Sequence, residues 1–226
     1  MASIGVLAAG VAHEINNPLT SAMLYSEQAL AEEMPHHIRE SIQTVNQQAH
    51  RMARVVKNLL DFARHSEPER RETSIVTMLR RTLELKAYDF KMNHITVIDD
   101  DVPAETSGSG HAMLDENQMV QAILNLLNNA EQAGMSAQPT LEIRVSVLRV
   151  GGWVTIGVED NGPGIAEEDL PKIFDPFFTT KDIGQGTGLG LSVSQGIVAL
   201  HGGEIWAENI RGGGAAFYVK LPTISR

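Results

Sequence analysis

Through the first third of the chain, apolar residues recur at alternating spacings of three and four. Ile42, Val45, Ala49, Met52, Val56, Leu59 and Ala63 mark a seam of about three heptads, the pattern of a helix that buries one stripe. Ile4, Leu7, Ala8, Val11, Ile15, Leu19 and Met23 form a comparable stripe upstream. Met34-Pro35-His36-His37 separates the two, because a residue preceding proline is disfavoured in the helical region; His36 and His37 read as loop residues. Residues 1–66 therefore predict an antiparallel helical hairpin. A lone hairpin cannot bury both seams, so a second copy completing a four-helix bundle is the simplest solution. Packing against the rest of its own chain is the alternative.

The pattern changes at Ser66-Glu67-Pro68-Glu69-Arg70, which reads as a boundary: residues 67–71 as linker, 72–226 as a second domain. Ser74 to Tyr88 predicts a helix and His94 to Ile98 a short strand. Asp115 to Ala133 predicts a helix with Met119, Ala122, Ile123, Leu126, Ala130 and Ala133 on its buried side. Leu141 to Val150, Gly151-Gly152 and Trp153 to Glu159 read as a β-hairpin with a glycine turn. Leu189 to Leu200 predicts a helix stopped by Gly202-Gly203, and Glu204 to Glu208 and Ala215 to Leu221 a final pair of strands. Helices collected on one face of a mostly antiparallel sheet make an α+β sandwich.

Charge and composition narrow the function. Lys+Arg 18 against Asp+Glu 28 leaves −10 over 226 residues, of which residues 67–226 carry −9. So acidic a chain is a poor candidate for nucleic acid or an anionic membrane. The absence of cysteine excludes disulfides, thiolate metal sites and a catalytic thiol, and it fits a reducing cytosol. No stretch reaches the roughly 20 apolar residues of a membrane span. The apolar opening, Met1 to Ala12, lacks the basic start of a signal peptide and reads as the first turns of a helix that continues upstream, so the chain is expected to be a fragment.

Three clusters carry candidate chemistry. Val154, Ile156 and Val158 alternate onto one face, and period two puts Asp160 on that same buried face. A buried carboxylate needs a donor; Asp160 either opens the turn Asp160-Asn161-Gly162-Pro163-Gly164 or accepts a hydrogen bond from a ligand amino group, such as that of adenine. Gly184-Gln185-Gly186-Thr187-Gly188-Leu189-Gly190-Leu191 runs into a helix start, where backbone amides and the helix dipole suit phosphate. Ahead of it, Phe174-Asp175-Pro176-Phe177-Phe178-Thr179-Thr180-Lys181 supplies one cation, which is either a solvated loop lysine or a phosphate contact. Finally, Gln118, Gln121, Asn125, Asn129 and Gln132 form a polar stripe. Its amides are either a plain solvent face or oxygen ligands for Mg²⁺.

Taken in order, these motifs resemble the ATP-binding domain of sensor histidine kinases, of the GHKL class shared with type II topoisomerases, mismatch-repair ATPases and a heat-shock chaperone. The matching stretches are the asparagine box (Asn125 to Ala130), the loop Asp160 to Ile165, the segment Phe174 to Lys181, the glycine loop Gly184 to Leu191 and the late turn Gly212 to Ala215. Ala12-His13-Glu14-Ile15-Asn16-Asn17-Pro18-Leu19 resembles the phosphoacceptor box of the same kinases, particularly the nitrogen-regulation-type subgroup.

The resemblance implies a dimeric four-helix bundle followed by a Bergerat-type α+β sandwich. It implies ATP held by Asn125, Asn129, Asp160, Gly162, Gly164, Ile165, Phe178, Thr180, Lys181, Gly184, Gly186, Thr187, Gly188, Leu189 and Gly190, and Mg²⁺ held by Asn129 first and Asn125 second. His13 is then the phosphoacceptor, Glu14 orients or deprotonates its ring, and Asn17 orients water in a reverse, phosphatase reaction. The implied partners are a second copy of the chain and a response-regulator receiver domain. The implied location is the cytoplasm, with any membrane contact made through a sensor region outside this chain. Gln132 departs from the family pattern, where a cationic side chain often contacts phosphate. Competing readings are a GHKL ATPase switch, an anti-sigma-type serine/threonine kinase and a non-enzymatic coiled-coil scaffold.

Overall fold

The computed structural model describes residues 2–63, 68–103, 110–134, 140–181 and 186–224; within these, the side chains of residues 2–14, 54, 55, 57–63 and 100 are not described. The chain divides into two compact units, residues 1–66 with 179–189, and residues 67–178 with 190–226.

In the first unit, α1 (Ala2–Leu30) and α2 (His36–Ala63) form the expected hairpin. Pro35 restricts the residue before it, not the one after. Its carbonyl instead accepts the first helical bonds, from the Ile38 and Arg39 amides at 3.0 and 3.1 Å. His36 and His37 therefore belong to the first turn of α2 rather than to the loop. Arg39 closes the connection, its guanidinium donating to the Leu30 and Glu32 carbonyls at 2.8 and 2.9 Å, which satisfies carbonyls left over at the end of α1.

The hairpin core is Leu19, Ala49 and Val56, with Ala22, Met23 and Ala53 around it. One polar pair interrupts it: Asn46 Nδ2 donates to Ser26 Oγ at 2.8 Å, and the buried Ser26 hydroxyl donates to the Met23 carbonyl. The expected α2 seam splits here. Ala49 and Val56 turn toward α1, whereas Val45 and Met52 stay 55% and 51% exposed, as does much of Ile38 seven residues earlier.

The second unit contains β1 (Arg71–Ser74), α3 (Ile75–Met92), β2 (Ile95–Asp101), β3 (His111–Leu114), α4 (Glu116–Gly134), β4 (Leu141–Val150), β5 (Trp153–Asp160), α5 (Gly190–Leu200), β6 (Glu204–Asn209) and β7 (Ala215–Pro222). Five strands form one sheet in the order β2-β4-β5-β7-β6. Among the described strands only β2 and β4 run parallel. The β4–β5 turn pairs Val150 with Trp153, leaving Gly151-Gly152 as its two-residue loop, Gly151 with φ +61°. Inward positions Ile143, Val145, Val154, Ile156, Val158, Phe217, Val219 and Leu221 meet α3, α4 and α5 in a single apolar core. A second sheet pairs β1 with β3. Its strand β1, Arg-Glu-Thr-Ser, has no apolar alternation from which it could be read.

Local caps set the helix ends. The Ser74 hydroxyl accepts from the Thr77 amide to start α3, and Asp115 Oδ1 accepts from the amides of Asn117 and Gln118 to start α4. His94 adopts φ +55°, so β2 begins at Ile95 rather than at His94. Gly202, at φ +71°, ends α5 in the left-handed conformation that glycine allows. Among the described residues no helix is long and apolar enough to cross a membrane.

Candidate nucleotide and phosphoacceptor sites

Asp160 is the last residue of β5 and only 4% exposed, on the inward face with Val154, Ile156 and Val158. Its Oδ1 accepts from the Gly162 amide at 2.8 Å and from the Ala215 amide at 3.4 Å. The first of these bonds is the turn-opening role; its other oxygen takes no hydrogen bond among the described residues. Both readings of Asp160 are thus compatible, one oxygen for the turn and one for a ligand. Burial raises the carboxyl above its ordinary value, and the two amides only partly oppose this.

The turn after Asp160 is held from three sides. Asn161 accepts from the Glu142 amide at 2.9 Å and donates to the Thr140 carbonyl, which fixes the turn to the start of β4. Asn209 Oδ1 accepts from the Ile165 amide at 2.8 Å while its Nδ2 donates to the Ile165 carbonyl at 2.6 Å. Gly214, at φ +99°, lies so close that a Cβ there would sit 1.9 Å from the Asp160 carbonyl oxygen. Gly162 faces Ala133 near the end of α4, its virtual Cβ 3.6 Å from the alanine methyl. Gly164 has φ +77°, and Ile165 and Phe178 pack on the core from its edge.

Helix α4 ends beside this turn and packs along α5. Asn125 Nδ2 donates to the Gly190 carbonyl at 3.1 Å and to Ser194 Oγ at 3.2 Å, tying α4 to the first turn of α5. With its nitrogen committed on that side, the Asn125 carbonyl oxygen is left for another partner. Asn129, one turn on, is half-buried, and its side chain makes no hydrogen bond among the described residues. The asparagine stripe is therefore not a plain solvent face. Among the described residues no group of three or more His, Asp or Glu could hold a metal. The donors fit only a cation that takes most of its shell from phosphate and water, as Mg²⁺ does.

The glycine loop ends at α5. Gly184 lies outside the described residues. Within segment 179–189, Thr180 is exposed and burial lowers the Lys181 ammonium below its ordinary value. A Cβ on Gly186 would meet Thr179 Oγ1 at 2.7 Å, Gly188 has φ +65°, and the Leu189 amide donates to Thr187 Oγ1. Leu189 is fully buried.

In the other unit, α1 runs unbroken through His13, Glu14 and Asn17, with Pro18 inside it. Proline deprives the helix of the bond its amide would donate one turn back, toward Glu14. The side chains of His13 and Glu14 lie outside the described ones, and Asn17 is exposed.

Sequence reasoning missed Asn209 and Ser194. Asn209 is 44 residues from its partner Ile165, and Ser194 is 69 from Asn125. Neither carries a local signal.

Two families match. The one described as "Histidine kinase-, DNA gyrase B-, and HSP90-like ATPase" covers residues 114–225. The "His Kinase A (phospho-acceptor) domain" covers residues 3–68. The sensor histidine kinase ZraS of Escherichia coli O157:H7 is 36% identical over 98% of this chain and 47% of its own length. The chain thus spans about half the length of that curated relative. The solved catalytic domain of histidine kinase ThkA is 31% identical, covers 69% of this chain and 96% of its own, and superposes with a TM-score of 0.59. Histidine kinase ThkA in complex with response regulator protein TrrA is 27% identical across 98% of this chain and 62% of its own, with a TM-score of 0.70. A phospho-acceptor hairpin followed by a histidine-kinase-like ATPase fold, at these identities, places the chain in the sensor histidine kinase family.

Proposed function

We propose that this chain is a kinase core that transfers the γ-phosphoryl group of ATP to His13 and passes it on to an aspartate of a response-regulator receiver domain. The observation that carries the proposal is the Asp160 carboxylate: buried, anchored through one oxygen, and with the other left to read an amino group such as that of adenine. In this reading residues 1–66 dimerise and carry the phosphoacceptor, 67–71 connect, with Arg71 at the end of that stretch already paired in β1, and 72–226 bind nucleotide.

The adenine sits against Asp160, Gly162, Gly164, Ile165 and Phe178, and the phosphates meet Asn125, Asn129, Thr180, Lys181 and the loop Gly184, Gly186, Thr187, Gly188, Leu189 and Gly190, whose amides precede α5. Mg²⁺, when bound with ATP, supplies charge neutralisation at the phosphates; Asn129 would hold it, with Asn125 second.

Transfer requires little covalent chemistry from the protein beyond placement. A neutral imidazole offers one ring nitrogen as lone-pair donor. That nitrogen forms a bond to the γ-phosphorus as the bond to the bridging oxygen breaks, and ADP departs with the electron pair. Glu14 receives or orients the proton on the second ring nitrogen. A carboxylate oxygen of the receiver aspartate then attacks phosphorus, the N–P bond breaks, and the proton returns to the imidazole. Asn17, four residues after His13 in α1, would orient water for removing phosphate from the partner.

An ATPase switch is disfavoured at Asn125: an amide cannot act as a general base, and its nitrogen is already spent on Gly190 and Ser194. The exposed positions Ile38, Val45 and Met52, each seven apart on α2, support pairing with a second copy. The solved complex of ThkA with TrrA supports a receiver partner by relationship. The proposed place of action is the cytoplasm.

Incubation with radiolabelled ATP and Mg²⁺ is expected to give acid-labile, base-stable label on wild type that moves to added receiver domains. Label that is stable to acid, or that persists in His13→Ala, would overturn the assignment.

A further inference from the structure

Outside the nucleotide site, one hydrogen-bonded cluster joins the connection at residues 69–70 to both helices that frame that site. Asp115 caps α4 with Oδ1 and with Oδ2 accepts from the Glu69 amide at 3.1 Å. The Asp115 amide donates to Nε2 of His201 at 2.9 Å. Because that nitrogen accepts, the proton of the neutral ring sits on Nδ1, which donates to the Ile197 carbonyl at 2.8 Å. His201 is 4% exposed, just past the end of α5. Arg70 completes the cluster by donating to the Leu200 carbonyl, one of those left without a helical partner at the end of α5.

Helices α4 and α5 are thus tied beside the nucleotide groups, through Asn125 to Gly190 and Ser194 and through Ser194 to the Ala122 carbonyl, and again at the connection, through Asp115 to His201. The second tie involves none of the residues assigned to the nucleotide. It does fix residues 69 and 70 as part of the folded unit, ahead of strand β1.

We propose that Asp115, His201 and Arg70 form a latch that shortens the connection between α2 and β1, making Arg70 and His201 positioning residues for phosphoryl transfer to His13; this rests on the kinase reading above. With the latch closed, four residues, 64–67, lie between the last residue of α2 and Pro68, five residue steps with a reach of at most about 18 Å. With it open, residues 68–70 join the tether, seven in place of four. Effective concentration falls roughly as the −3/2 power of tether length, so the encounter of nucleotide and His13 drops about two- to threefold. Nucleotide affinity, set at the other end of α4 and α5, does not change.

The test uses the full chain as wild type, Arg70→Ala, Arg70→Lys and His201→Ala. For each, exchange of the Glu69 amide, ATP affinity and the rate of His13 labelling at saturating ATP are measured. The latch predicts faster Glu69 exchange and about two- to threefold slower labelling in Arg70→Ala and His201→Ala, with unchanged ATP affinity. Arg70→Lys, which keeps a donor for Leu200, recovers most of the rate. Should His201→Ala not fold, the exposed Arg70 pair carries the test. Unchanged Glu69 exchange, a labelling rate that stays at or rises above wild type once protection is lost, or a rate that falls only together with ATP affinity would each overturn the latch. Absence of label on wild type would instead overturn the kinase reading, and the exchange measurement would still report the latch.

Discussion

The helical hairpin and the α/β unit bury apolar surface in opposite ways. In the α/β unit Met119, Ile123, Leu126 and Leu127 of α4 are fully covered by the sheet and its neighbouring helices. In the hairpin the described core is three residues, Leu19, Ala49 and Val56, while Val45 and Met52 of the same α2 seam are exposed. Spacing of three and four marks both helices equally. What differs is whether the chain itself supplies the second wall. The contrast teaches that the α/β unit closes its own core, while the hairpin leaves an apolar face open; if a second copy covers that face, as proposed, hairpin stability rises with protein concentration.

The largest effect expected from breaking this contrast is on association. Val45→Glu with Met52→Glu places two charges where a second copy would desolvate them, at a cost of several kcal/mol each. Sedimentation is expected to show monomer, with ATP binding unchanged; a surviving dimer would move the interface elsewhere. Leu126→Ala addresses the other side. Emptying a fully buried leucine site costs about 2–5 kcal/mol, so the α/β transition is expected to move to lower denaturant while dimerisation is retained.

Asp160→Asn separates function from stability within one residue. Exchanging the ligand-facing oxygen for an amide donor is expected to weaken ATP binding by about two orders of magnitude, which calorimetry would measure. Unchanged affinity would remove Asp160 from the site. Stability moves the other way. Burial raises the carboxyl in the folded state, so the native protein holds that proton more tightly than the unfolded chain does. Stability from this group is fully present below the ordinary carboxylate value and is lost as pH rises through the raised one. The asparagine variant, free of that penalty, is therefore expected to melt slightly higher at pH 7 without nucleotide, an advantage that disappears on acidification. The smallest effect is at the polar pair of the hairpin: Asn46→Ala removes the bond to Ser26 and is expected to cost about 1 kcal/mol in denaturant titration of the dimer.

Much of this architecture is legible in sequence because the signals are local. Gly151-Gly152 fixes the β4–β5 register, and alternation from Val154 carries Asp160 to the buried face. The features that escape are those set by distant partners. Strand β1 exists because β3 pairs with it, not because Arg-Glu-Thr-Ser favours extension. Asn209 clasps Ile165 across 44 residues, and His201 reaches Asp115 across 86. The misreading of His36 and His37 has a different cause. Proline limits its predecessor, so the helix can resume at once behind it, with the Pro35 carbonyl as its first acceptor.

The central claim is that a nucleotide read by Asp160 delivers its terminal phosphoryl group to the ring of His13. Its most direct test is mass-spectrometric localisation of the phosphate, under alkaline conditions, after incubation of wild type and Asp160→Asn with ATP and Mg²⁺. The account predicts phosphate on His13 in wild type and almost none in the variant; phosphate on another residue, or free phosphate released with His13 unmodified, would contradict it.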